Sequence, residues 1–248
     1  MISIIICSVN PVLYARICAQ YTQLMGAEPF ETIGIHDARG ISEGYNRGLA
    51  QSKGDIVLFS HDDIEIWQPD FTARLKRHLQ RFDVIGVAGT NKLVGPGWHS
   101  SAPPYTLGQV THPIAGQFQL SFFGAYRQVM GDMQAMDGVL LAFRRPAIEQ
   151  IRWDDQTFTG FHLYDMDATY RAFRAGYKLA VAADLPILHM SGGSYDQNWQ
   201  HFAGLFMRKH GATLETHSPR SCQVSIVQLS SREEAQELMH LFYRRLPE

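Results

Sequence analysis

The sequence predicts a three-layer α/β fold in which helices cover both faces of a mostly parallel central sheet, and three observations carry that expectation. Strand-like and helix-like segments alternate β-α-β-α-β-α-β over the first ninety residues. Residues 2–8 (ISIIICS) form a nearly unbroken β-branched run, the composition of a strand covered on both faces. Asn10 followed by Pro11 is a helix start, a side-chain cap before a proline that needs no N–H partner. Right-handed crossovers between such strands gather ligands at their carboxyl ends.

In chain order, the first helix runs from Pro11 to a stop at Gly26. A short strand follows at Thr32-Ile33-Gly34-Ile35, and Ser42 is placed to cap a helix reaching about Gln51. Asp55 to Phe59 is the third strand. Phe71, Leu75 and Leu79 share one face of the next helix, and Val84 to Ala88 is the fourth strand. Residues 93–135 break the rhythm with Gly95, Pro96, Gly97, Pro103, Pro104, Gly108, Pro113 and Gly116, which predicts long loops and a hairpin. Regular structure resumes with a strand at 138–143, a helix at 165–175 and a strand at 177–181, then a helix at 199–209. The tail reads as a strand at 222–229 and a helix at 231–245, opened by the capping box Ser231-Arg232-Glu233-Glu234. The expected division is residues 1–218 as one catalytic domain, with halves 1–92 and 93–218, and residues 219–248 as a strand-helix extension.

Composition excludes several classes. The formal net charge is −2 and the pI about 6.6, so a general nucleic-acid binder is not expected. Cys7, Cys18 and Cys222 are far apart and odd in number, which fits neither a metal knuckle nor a disulfide framework and suggests a reducing compartment. The opening apolar run is too short for a signal peptide or membrane span, and no other window approaches a spanning length, so a cytoplasmic location is expected.

Three features carry chemistry. Asp62 and Asp63 follow the third strand, where carboxylates suit Mg²⁺ or Mn²⁺ with positions left for substrate phosphates; paired acids there also cap turns. Asp165 and Asp167 open a helix two residues apart, so one can act as a general base while the other caps. His189 follows a strand-like segment and precedes Gly192-Gly193; imidazole suits Mn²⁺ better than Mg²⁺, and the glycines can approach a phosphate or simply turn the chain.

In order and spacing these features resemble family 2 of the glycosyltransferases, with the nucleotide-sugar-binding GT-A fold, over residues 2–210. The resemblance rests on Ile2 to Asn10, on Gly40-Ile41-Ser42-Glu43-Gly44-Tyr45-Asn46-Arg47-Gly48, and on Val57-Leu58-Phe59-Ser60-His61-Asp62-Asp63. It continues through Met136-Asp137-Gly138, Tyr164-Asp165-Met166-Asp167, Ala175-Gly176-Tyr177 and His189. The His-Asp-Asp form looks closest to a branch that includes a streptomycin-biosynthesis transferase and bacterial polysaccharide enzymes.

The resemblance implies a metal-assisted, inverting transfer of a sugar from a nucleoside-diphosphate sugar to a saccharide or other hydroxyl acceptor, in bacterial polysaccharide or glycoconjugate synthesis. It implies Asp63 and His189 as ligands of Mn²⁺ or Mg²⁺ and Asp165 as catalytic base. Asp62 then lies near the sugar or ribose, and Ser8, Asn10 and Asp37 near the nucleotide base. Asn46 matches the Asn of an Arg-Asn-x-Gly pattern, and Asp137 falls at donor-sugar or acceptor contacts. His61 stands where the family has the first acid of its D-x-D motif, and Tyr164 where it has the first acid of a Glu-Asp pair. The Gln-x-x-Arg-Trp motif of processive synthases is absent, which favours single additions. Trp98 is the aromatic residue expected to stack on a sugar.

Two rivals are a sugar nucleotidyltransferase and a sugar-nucleotide-binding protein without catalysis. The first usually carries a glycine-rich basic loop after its first strand, and Cys7-Ser8-Val9-Asn10-Pro11 has neither glycine nor lysine. No G-x-G-x-x-G follows a strand, which argues against a dinucleotide-dependent oxidoreductase.

Overall fold

A computed structural model of the chain describes residues 1–216 and 225–248. The chain opens with β1 (Ile2–Cys7), α1 (Pro11–Met25), β2 (Phe30–Ile35), α2 (Ile41–Gln51), β3 (Ile56–Ser60), β4 (Ile64–Ile66) and α3 (Phe71–His78). It continues through β5 (Val84–Gly86), β6 (Ala88–Thr90), β7 (Thr106–Ile114), β8 (Gln117–Gly124), β9 (Val129–Met130), β10 (Ala135–Met136), β11 (Leu140–Arg144) and α4 (Arg145–Ile151). Last come α5 (Tyr164–Arg174), β12 (Leu179–Ala182), β13 (Ile187–His189), α6 (Gln197–His210), β14 (Ser225–Leu229) and α7 (Arg232–Arg244).

The main sheet has the order β2-β1-β3-β11-β5-β12-β9. Strands β1, β2 and β3 are mutually parallel; β5 and β12 run with them, and β11 and β9 oppose them. Alternate residues sort to opposite faces. Ile5, Val57 and Phe59 pack with Tyr45 and Leu49 of α2 and with α4 and α5. Ile4, Ile6 and Leu58 pack with Ile17 and Tyr21 of α1 and with Phe71 and Leu75 of α3. These side chains are fully or almost fully buried, and each contributes about 1.5–3 kcal/mol from the hydrophobic effect if aliphatic. The result is the three-layer α/β/α sandwich expected from the alternation.

Local signals account for the element ends. The Asn10 side chain accepts the main-chain N–H groups of Val12 and Leu13, and Gly26 ends α1 with φ 55°. Ser231 caps α7 by accepting from Glu234 N, while Glu234 reaches back to Ser230. Ser42 is not a cap. It lies inside the first turn of α2, fully buried, and Gly40 is the N-cap because any side chain there would collide with the Thr159 carbonyl.

The fourth strand read from the sequence divides at Val87. β5 stays in the main sheet, while β6 enters a second sheet ordered β10-β6-β7-β13-β4, with β8 paired to β7 and β14 to β8. The irregular 93–135 segment supplies the β7–β8 hairpin of that sheet. β14 and α7 cover its outer part through a small core of Trp67, Leu120, Leu188, Ala235 and Met239. The 218/219 boundary and the Cys222–Val224 start of the tail strand lie outside the described residues. Cys7 and Cys18 are unpaired thiols, and burial pushes Cys7 up to about 12. Among the described residues no helix is long and apolar enough to cross a membrane.

Candidate active site

The parallel trio β1, β2 and β3 ends along one edge, with Cys7 opposite Ile35 and Ile6 opposite Ser60. Ser8, Asp37 and Asp62 therefore leave the sheet on the same side. Ser8 Oγ donates to Asp62 Oδ2 across 2.5 Å. Asp37 is exposed and paired with Arg47 at 2.7 Å, which lowers its carboxyl below the ordinary range. The Asn10 side chain is occupied as the α1 cap. Asn46 spends its carboxamide on the 153–155 loop, donating to Trp153 O and Asp155 Oδ2 and accepting from Trp153 N.

After β3 the chain turns through His61, Asp62 and Asp63 into β4. β13 runs antiparallel to β4 with His189 opposite Ile64, which delivers the histidine beside Asp63. The Met190 N–H binds the Asp63 carbonyl at 2.9 Å, and the Ser191 N–H binds Asp63 Oδ2 at 3.1 Å. Oδ1 is left facing two imidazoles, 3.4 Å from His189 Nε2 and 3.7 Å from His61 Nδ1. Those two nitrogens are 3.3 Å apart. The point equidistant from the three atoms lies about 2.0 Å from each, close to the bond lengths that small divalent cations make to nitrogen and oxygen. The donor set thus fits one cation.

Electrostatics agree with that fit. Burial alone would raise the Asp63 carboxyl, but the hydrogen bonds from His189 and Ser191 and the nearby imidazoles hold it well below the ordinary range. Burial, with His189 beside it, lowers His61, so its ring is neutral and keeps a lone pair for a ligand.

The opposite side of the site is the start of α5. Its N-cap is Leu163, held at φ 61° without a side-chain cap, a left-handed conformation that tends to persist where surroundings impose it. Neither Asp165 nor Asp167 occupies the cap position. Asp165 Oδ2 accepts the Gly138 N–H at 2.8 Å. Burial, followed by the charge of Asp137, raises its carboxyl to about 7. Asp167 is fully buried on the far side of the helix against Arg171, Lys209 and His210.

Asp137 lies between these groups. Its Oδ1 accepts Val139 N at 2.9 Å, and its Oδ2 accepts the indole N–H of Trp98 at 3.0 Å. Trp98, expected to stack on sugar, is instead mostly buried, edge-on to Phe123 at 4.7 Å, although part of it still faces the cavity. That cavity has a volume of about 460 Å³, and its wall includes His61, Asp137, Tyr164, Asp165 and His189. The aromatic faces open at its mouth are Phe161 and Tyr195.

Sequence reasoning did not identify three contributors. His61 supplies a third donor atom, and its place next to Asp62-Asp63 was the available signal. The Tyr164 hydroxyl lies 2.9 Å from His61 Nε2. His112 Nδ1 lies 3.0 Å from the His189 carbonyl and 3.1 Å from the Ser191 carbonyl, so it carries the proton and braces the 189–191 turn. No local pattern marks His112, and Tyr164 is visible only as the residue standing at the first acid of the Glu-Asp pair.

Residues 3–210 match the family model of the Glycosyltransferase like family. Among solved structures, the mannosyltransferase PcManGT from Pyrobaculum calidifontis, in complex with GDP-Man and Mn²⁺, aligns with a TM-score of 0.53 and 12% identity. That alignment covers 98% of this chain and 68% of the other. Residues 1–349 of S. aureus TarS align with a TM-score of 0.45 and 12% identity, over 86% of this chain and 72% of that one. A197 from STIV aligns with a TM-score of 0.44 and 10% identity, over 90% and 97%. A sequence search of curated proteins gives no match. The architecture is of the GT-A type.

Proposed function

The chain belongs to the Glycosyltransferase like family, and on that footing we propose that it moves a sugar from a nucleoside-diphosphate sugar to an acceptor hydroxyl, inverting the anomeric carbon with help from a divalent cation, Mn²⁺ or Mg²⁺. The observation that carries this reading is the single cavity walled by Asp165, Asp137, His61 and His189. It brings a carboxylate with a proton affinity near neutrality to the same space as a three-atom cation site. The GDP-Man and Mn²⁺ of the P. calidifontis neighbour support a donor and a cation of these classes.

In the proposed reaction Asp165 accepts the proton of the acceptor hydroxyl as its oxygen bonds to the anomeric carbon. The bond from that carbon to the diphosphate oxygen breaks on the opposite face, and its electron pair leaves with the nucleoside diphosphate. A cation held by Asp63 and His189, with His61 beside them, would offset the charge developing on that diphosphate. Asp62 and Ser8, already joined, are assigned to the donor's ribose or sugar, Asn10 and Asp37 to the rim near its base, and Asn46 to support of that rim. Asp137 fixes Trp98 and bounds the sugar pocket. The acceptor is assigned as a saccharide of a bacterial polysaccharide or glycoconjugate. Residues 1–218 are taken as the catalytic domain and 219–248 as an extension, of which β14 adds to the edge of β8.

Asp165→Asn should lower kcat by about 10²–10⁴-fold, the usual contribution of a general base, while leaving donor affinity nearly unchanged. A variant with normal turnover would sink the assignment. A thermal-shift screen of nucleoside diphosphates and sugar nucleotides with Mn²⁺ should find the donor through ligand-linked stabilisation. Asp63→Ala should abolish its Mn²⁺ dependence.

A further inference from the structure

We infer that Tyr164 is a positioning residue: its hydroxyl oxygen accepts the Nε2 proton of His61, which turns the His61 Nδ1 lone pair to the cation and completes a donor set of two imidazoles and one carboxylate that selects a divalent transition ion over Mg²⁺. This rests on the cation reading proposed above and adds to it both a third donor and a choice of metal.

The case is a proton count. A neutral imidazole has one N–H and one lone pair. His61 presents Nε2 to the Tyr164 hydroxyl at 2.9 Å and Nδ1 to His189 Nε2 at 3.3 Å. If the tyrosine donated its proton to Nε2, the His61 proton would lie on Nδ1, inside the triangle of donor atoms, and would block a cation there. If the tyrosine oxygen accepts, Nδ1 is bare. His61 Nδ1, His189 Nε2 and Asp63 Oδ1 lie within 3.3–3.7 Å of one another, and a cation among them takes the place of the His189 Nε2 proton, which that ring can carry on Nδ1 instead. Cation binding is therefore coupled to the direction of the Tyr164–His61 hydrogen bond, since only an accepting tyrosine oxygen leaves His61 Nδ1 bare.

The surroundings leave the tyrosine suited to this task. Its ring is buried against Tyr45 and Trp153, with centroids 5.9 and 5.7 Å away, so the hydroxyl is aimed by packing. Among the described residues its hydroxyl bonds to His61 alone. Tyr164 and His61 both line the cavity, so the tyrosine's own O–H can turn into that space. Asp63 is oriented by similar means, since Ser191 N occupies Oδ2 and leaves Oδ1 to the cation. A ligand's outer partner that fixes its tautomer in this way is a recurrent feature of metal sites. Mg²⁺ prefers oxygen ligands and keeps its waters, whereas imidazole nitrogen favours transition ions.

The test is calorimetry of the full chain with Mn²⁺, Co²⁺ or Mg²⁺ and no substrate, comparing the wild type with Tyr164→Phe, His61→Ala and Asp63→Ala. Wild type should bind Mn²⁺ and Co²⁺ more than tenfold more tightly than Mg²⁺. Tyr164→Phe keeps the packed ring and should weaken Mn²⁺ and Co²⁺ by about 10–100-fold, the cost of losing an outer-shell partner, with little change for Mg²⁺. The visible spectrum of the Co²⁺ form should shift with it. In the Zn²⁺-loaded wild type, ¹⁵N–¹H correlation should place the His61 proton on Nε2, a readout that needs no variant. Binding that Asp63→Ala abolishes but His61→Ala and Tyr164→Phe leave intact would overturn this inference and spare the cation reading. A His61 proton found on Nδ1 would also overturn it. A wild type that binds none of the ions overturns both.

Discussion

The main-chain N–H of Gly138 donates to Asp165 Oδ2 across 2.8 Å, tying the turn before β11 to the first turn of α5. The approach is close enough to require glycine. A Cβ at position 138 would lie 2.5 Å from the Tyr164 hydroxyl and 2.8 Å from Asp165 Cβ, so it would push on both residues at once. Gly138→Ala should therefore cost about 1–3 kcal/mol in stability as an overpacking change. It should also lower kcat by more than tenfold because the carboxylate is displaced. Thermal melts and steady-state kinetics check the pair, and an alanine variant with unchanged kcat would mean that Asp165 is not held by this contact.

Asp137 acts on Asp165 through charge as well as through the turn they share. Burial is the larger cause of the raised Asp165 carboxyl and the Asp137 charge the next, giving a value of about 7. A base works only when deprotonated, so kcat/KM should rise with pH through about 7. Asp137→Asn removes the neighbouring charge and should move that acid limb to lower pH. Asparagine can still accept from Val139 N but loses the Trp98 bond, so KM should rise as well. The pH–rate profile is the measurement; a limb that stays in place or moves upward would show that the two carboxyls are uncoupled.

The same raised value has a consequence for stability. With its folded value above the ordinary 3.8, the Asp165 contribution is fully present below the unfolded value and is lost as pH rises through about 7. The charged carboxylate is thus a strained state at working pH. Asp165→Asn keeps an acceptor for Gly138 N without the charge, and its melting temperature should exceed that of the wild type by several degrees at pH 8. The gap should close as the pH falls toward 4. Melts across that range test the sign, and a variant less stable at pH 8 would contradict it.

What the sequence discloses depends on how far apart the interacting residues lie. The Asn10 cap, the Gly26 stop and the Ser231 box each involve neighbours within a few positions, so residue type alone reveals them. The β-branched run of β1 likewise reports its two-sided burial. Gly40 displaces Ser42 as the α2 cap because of Thr159, more than a hundred positions away. β6 leaves the main sheet for the hairpin partner β7, a pairing that no property of residues 84–90 announces. The site divides in the same way. Asp63, Asp165 and His189 were legible as a pattern, and the structure brings His189 to Asp63 and lines one cavity with Asp165 and His189. The Trp98–Asp137 bond, the Gly138–Asp165 contact and the Tyr164–His61 pair join residues 39, 27 and 103 positions apart, so no local pattern reports them.

Asp167, two residues past Asp165, should behave in the opposite way. It is fully buried, with Oδ2 2.8 Å from Arg171 Nε and Oδ1 2.6 Å from Lys209 Nζ and 2.8 Å from His210 Nε2. Burial alone would raise its carboxyl, but the His210 hydrogen bond and the Arg171 and Lys209 charges outweigh it and lower the carboxyl below the ordinary range. A depressed carboxyl contributes stability that is present above the unfolded value and lost as pH falls through the folded one. Asp167→Ala strips three cationic or protonatable partners of their shared acceptor, which for a buried pair costs about 3–5 kcal/mol. Because those partners join α5 to α6, the loss should loosen the helix that carries Asp165 and raise hydrogen exchange along both helices. Asp167→Asn should melt below the wild type at neutral pH and show a shallower acid-unfolding slope, while Asp165→Asn melts above it. If both asparagine variants shift the melt in the same direction, the two carboxylates do not occupy the contrasting environments that their contacts describe.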